Sequence, residues 1–123
     1  MLLIVLASAH PEALHSFAAA LSADPEVQLQ QVTSGTEALE VGRTFPPHLM
    51  IIDYLADIEP LSLVQKLLTV NAMVNTAVVS PLADEEFHEA SEGLGILGRL
   101  PVESGMSEAA DLLQKLRQVL GRQ

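Results

Sequence analysis

Short apolar runs and amphipathic stretches alternate five times along this chain. Leu2-Leu3-Ile4-Val5-Leu6 is an unbroken apolar run of strand length. His10-Pro11-Glu12 follows, with a proline in the first turn and an acid near the positive end of a helix. Leu14, Phe17, Ala18 and Leu21 then recur at helical spacing until Asp24-Pro25 breaks the pattern. Val27 to Val32 predicts a second strand, interrupted by glutamines and so partly exposed. Ser34-Gly35-Thr36-Glu37 predicts a turn and helix start that Phe45-Pro46-Pro47 ends. Leu49 to Ile52 is a third strand, and Pro60 opens a third helix through Leu63, Val64, Leu67 and Leu68. Thr76 to Ser80 is a fourth strand, followed by a short acidic helix over Asp84 to Glu92 with Phe87 and Ala90 inward. Ile96 to Leu100 predicts a fifth strand thinned by Gly95 and Gly98. The last helix begins near Ser107 as N-cap and carries Ala109, Leu112, Leu113, Leu116, Val119 and Leu120 on one wide stripe. Core packing is the simple reading of that stripe.

Strand and helix in strict alternation, with apolar strands, predict an α/β fold: a doubly wound parallel sheet with helices on both faces. In such a sheet the crevice opens at the carboxyl ends of the first and third strands, where strand order reverses. The stretch Pro47-His48-Leu49-Met50-Ile51-Ile52-Asp53-Tyr54 aims Asp53 at that crevice. Ser8, Ala9 and His10 reach the same rim, as do Ser80 and Leu100.

Length and composition narrow the picture. The 123 residues suit one domain, spanning 1–123. Sixteen acidic against six basic side chains give a formal charge of −10, which argues against nucleic acid as a partner. The chain has no Cys, so disulfides and thiolate metal sites are excluded, as fits a cytoplasmic location. No apolar run reaches the ~18 residues of a membrane span. His15, His48 and His88 are scattered without metal-ligand spacing, and "ASAHPEA" after the first strand has no Gly to cradle a phosphate. With 49% hydrophobic residues and few aromatics, the core must be aliphatic, leaving apolar surface for a protein partner.

Four pieces, in order, resemble the receiver domain of response regulators, the CheY-like family of two-component phosphorelay signalling. They are "TSGTEAL" (33–39), "PHLMIID" (47–53), "AVVS" (77–80) and "GLGILGRLP" (93–101). The resemblance covers nearly the whole chain and implies the flavodoxin-like order 2-1-3-4-5. It also implies a chemistry: an Asp takes a phosphoryl group from a histidine kinase, helped by Mg²⁺ on an acid pair, by a Ser or Thr, and by a Lys. Carried over residue by residue, Asp53 is the phosphoacceptor-equivalent and Ser80 matches the hydroxyl. The acid pair falls on Ser8 and Ala9, the Lys on Leu100, and the switch aromatic on Leu97. Pro60 comes later than the family's loop proline, so the loop after Asp53 is longer or reshaped.

The expectation is therefore a degenerate receiver, not an enzyme, with no catalytic residues, no cofactor, and Mg²⁺ binding weak or absent. It would act on a protein partner, either a kinase or an output domain, or form a homodimer through the fourth helix, fifth strand and fifth helix. The chain ends just after its last helix, as a receiver excised from a larger regulator would, and equally as a stand-alone protein would. Two alternatives stand: a receiver still phosphorylated on Asp53, and a small flavodoxin-like ligand-binding domain. Asp57 and His10 are candidate substitutes for the missing groups, against a plain surface charge and a helix-start residue. For Asp53 the alternative is a strand-end acid satisfied by backbone N–H groups. For Ser80 it is a hydroxyl capping the turn at Pro81.

Overall fold

The computed structural model describes residues 1–121. Five parallel strands run β1 (Leu2–Ala7), β2 (Val27–Val32), β3 (Leu49–Ile52), β4 (Asn75–Val79) and β5 (Gly98–Leu100), in spatial order β2-β1-β3-β4-β5. They alternate with α1 (His15–Ser22), α2 (Gly35–Thr44), α3 (Pro60–Val70), α4 (Asp84–Ala90) and α5 (Met106–Val119). The parallel sheet is the one the alternation predicted, and its order is the flavodoxin-like, CheY-like one that the resemblance implied.

The two-residue period of the strands divides the core into two layers. Leu2, Ile4 and Leu6 of β1, with Leu49 and Ile51 of β3, meet Phe17 and Leu21 of α1 and Leu112 and Leu116 of α5. Val5, Met50, Ile52 and Val78 meet Ala38 of α2, Leu63 and Leu67 of α3, and Phe87 of α4. The inward stripe of α5 is core, as the simple reading had it, while Met106 and Val119 stay exposed. Central β3 is buried along its whole length, so its first polar residue, Asp53, emerges only where the strand ends. β2 lies at the edge, its glutamines in water.

Several element ends differ from the sequence reading. Residues Pro11–Leu14 form a 3₁₀ turn ahead of α1, with no side-chain cap at His10. β5 has only three residues, because Gly95 sits at φ +63° in the left-handed region and the chain extends only after it. Leu97 thus precedes the strand, although its N–H already donates to the Thr76 carbonyl at 2.7 Å. α4 stops at Ala90, where the Ser91 hydroxyl donates to the Phe87 carbonyl and Gly93 turns at φ +85°. Gly93 and Gly95 meet a conformational demand and not one of close packing, since nothing crowds either residue. α5 is entered from Gly105, not Ser107; the Gly105 N–H donates to Glu108 Oε1 at 2.7 Å.

Among the described residues, no helix is long and apolar enough to cross a membrane.

Candidate functional site

The parallel ladder assembles the site. The Asp53 N–H donates to the Ala7 carbonyl at 2.8 Å, continuing β3 alongside β1, and the Ala9 N–H donates to the Tyr54 carbonyl at 2.9 Å. Ser80 is tied to Leu100 in the same way, N–H to carbonyl, at 3.0 Å. Residues 8–9, 53–54, 80 and 100 therefore share one rim, as the topology required.

Around Asp53 the side chains are few and mostly neutral. Ser8 is fully buried; its hydroxyl donates to Asp53 Oδ2 at 2.9 Å and accepts the His10 N–H at 3.0 Å. Asp53 Oδ1 accepts no hydrogen bond among the described residues. The sequence alternative of an acid satisfied by backbone N–H groups is thus corrected: its donor is a side-chain hydroxyl from the neighbouring strand. Ala9 contributes a methyl group. Leu100 is buried in the layer beneath α1 and α5 and cannot present a charge. Ser80 Oγ accepts the Leu82 N–H at 3.2 Å, which holds the turn at Pro81.

The two candidate substitutes lie elsewhere. His10 stacks on exposed Tyr54, ring centroids 6.1 Å apart and planes within 4°, and its Nδ1 lies 3.8 Å from Glu12. Asp57 does not swing toward Asp53. Its Oδ1 accepts the Gly35 N–H at 2.9 Å, and its Oδ2 accepts the Thr36 N–H at 3.2 Å and the Thr36 hydroxyl at 3.4 Å. It thus satisfies amides at the start of α2, which Ser34 also caps by accepting the Glu37 N–H. The Gly35 N–H above all holds the Asp57 carboxyl below its ordinary value of 3.8. The loop carrying Asp57 comes so close that a Cβ on residue 35 would collide with Ile58, so only Gly fits there. Nothing in sequence spacing signals this contact, which joins residues 22 positions apart.

Arg99, beside the lost cation position, is also engaged. Its Nε donates to Asp84 at 2.9 Å and its Nη1 to the Ser80 carbonyl at 3.0 Å. Neighbours on a strand point to opposite faces, and Arg99 spends its donors on these two partners and none on Asp53.

Beside Asp53 and Ser80 opens a cleft of about 430 Å³. Asp53 and Glu59 lie at its polar edge, and Val78, Leu82, Phe87 and Val102 make up its apolar walls. No Lys or Arg lines it among the described residues. Sequence reading missed this cleft, because its walls come from three separate loops together with β4, α3 and α4.

The Mg²⁺ that this fold family implies does not suit these residues. A small hard cation wants several carboxylates, and here one carboxylate faces a hydroxyl and a methyl group. Among the described residues, no group of three or more His, Asp or Glu is placed to hold a metal ion.

No family model matches the sequence, and no curated protein does. Solved structures match closely in shape. The signal receiver domain of the response regulator NarL from Mycobacterium tuberculosis superposes with a TM-score of 0.82 at 17% identity, covering 95% of this chain and 96% of that one. A CheY-like response regulator receiver domain protein from Methanospirillum hungatei gives 0.80 at 19%, over 98% and 94%. A Burkholderia pseudomallei response regulator, whose structure holds a phosphorylated aspartic acid and a calcium ion, gives 0.77 at 15%, over 98% and 72%. At such low identity the likeness is one of architecture: this chain has the receiver fold of response regulators.

Proposed function

We propose that this chain is a signalling receiver that works through protein–protein contact, without metal-assisted phosphorylation of Asp53. One observation carries the reading: around the acceptor-equivalent Asp53 stand a buried hydroxyl, a methyl group and a buried isobutyl group at 8, 9 and 100. A charge pair at contact distance contributes about 4 kcal/mol at an effective dielectric near 20, before desolvation. Two missing carboxylates facing a dication therefore cost orders of magnitude in Mg²⁺ affinity. Phosphoryl transfer depends on positioning and on neutralising charge, and a rim without dication or lysine supplies little of either. The related fold in Burkholderia pseudomallei carries phosphate with a divalent ion present.

The partners that fit are a histidine kinase, an output domain or a second copy, met across α4, β5 and α5. Incubating the chain with acetyl phosphate and Mg²⁺ and recording its intact mass tests the reading. The mass should stay unchanged. A gain of one phosphoryl group that disappears in Asp53→Asn makes the chain an ordinary phosphoacceptor instead.

A further inference from the structure

We infer that the cleft beside Asp53 receives a lysine side chain from a partner protein. This deepens the proposed function by naming the chemistry through which the partner docks.

Three observations lead there. The cleft carries two carboxylates, Asp53 and Glu59, and no lining cation among the described residues. Arg99, which reaches the lining residue Ser80, already serves Asp84 and the Ser80 carbonyl. An incoming positive charge thus finds acceptors without having to displace a resident one, on a protein of formal charge −10.

The walls favour a charge on a long aliphatic stem. Val78, Leu82 and Phe87 line the cleft, and at its rim Tyr54 and Val102 are 58% and 55% exposed. A lysine buries its methylene chain along such walls while its ammonium meets the carboxylate.

The carboxylate itself selects ammonium over guanidinium. The Ser8 hydroxyl occupies one acceptor position, on Asp53 Oδ2, and Oδ1 accepts nothing among the described residues. A compact ammonium fits a single oxygen, whereas the arginine fork gains most from two. The proposed function, a receiver that acts through protein contact, makes a protein the source of that lysine and not a free amine.

The test is an amide NMR titration of the full chain with n-butylammonium, which reproduces the lysine stem and head. n-Butanol, butyrate and n-butylguanidinium serve as controls. Saturable shifts should concentrate at residues 53–61, 78–82 and 102, and binding should weaken about tenfold in Asp53→Asn, as for a lost charge-assisted hydrogen bond. Asn keeps an oxygen for the Ser8 hydroxyl, so this variant should retain its fold, and its spectrum checks that. Acetyl-Gly-Lys-Gly-amide should bind at least as tightly as n-butylammonium. Butanol binding as well as butylammonium, or undiminished binding by Asp53→Asn, or no saturable shift at all, overturns the proposal. So does exclusion of the peptide while the free amine binds, which would make the ligand a small amine. None of these outcomes depends on the phosphodonor experiment, so either reading can fail alone.

Discussion

Two aspartates four residues apart in one loop, Asp53 and Asp57, have opposite fates. Asp57 takes two backbone N–H groups and a hydroxyl at the start of α2, and its role is complete within the chain. Asp53 takes one hydroxyl and lines a cleft. The difference teaches that a loop acid is read by counting its donors. A carboxylate whose acceptor sites are filled holds structure, and one left partly open is available to something outside the chain.

The contrast is broken most severely at Gly35. Gly35→Val drives a side chain into Ile58, so Asp57 loses its amides; urea denaturation should show a loss of about 1–3 kcal/mol. Unchanged stability would mean that the loop has no fixed seat on α2. Next comes Ala9→Asp, which places a second carboxylate on the rim. Isothermal titration should find Mg²⁺ affinity raised about tenfold or more over the parent chain. Asp57→Ala should lower the thermal midpoint, and by more than any change at Asp53, because two amides lose their acceptor.

The same latch has a pH signature. The folded value of Asp57 lies below 3.8, so its contribution is present above 3.8 and is lost as pH falls through the lower folded value. The stability difference between the parent and Asp57→Asn should shrink over that acid range. Asp24 is also held low, by Arg117 first of all, and weakens in acid with the same sign, but it is common to both proteins and cancels in the difference. The smallest effect is expected at Asp53→Asn, with stability within about 0.5 kcal/mol of the parent, since Asn still accepts from Ser8. A large loss there would move Asp53 into the structural class with Asp57.

Much of the scaffold was legible because local patterns suffice to specify it. β2 and β3 begin and end where the sequence pattern placed them, and prolines mark the entries of the turn before α1 and of α3. The rim followed from topology alone, which brings residues 8, 53, 80 and 100 to the same strand ends. Boundaries shifted where backbone conformation overrode side-chain pattern, as at β5, where Gly95 delays the strand, and at α5, where Gly105 takes the cap. What stayed hidden were contacts between segments distant in sequence. The Ser8–Asp53 hydrogen bond spans 45 positions and the Asp57–Gly35 bond 22, and neither residue's neighbours announce its partner. The cleft was hidden for the same reason.

The seat of Asp57 on α2 has a mechanical side. It splices residues 57–58 to the beginning of a helix that is otherwise separated from them by the whole of β3, so loop and helix travel as one body. Anything that grips the loop beside Asp53 therefore also pulls on α2, and tension applied at the rim is handed to a second helix of the same layer without any rearrangement of the strands.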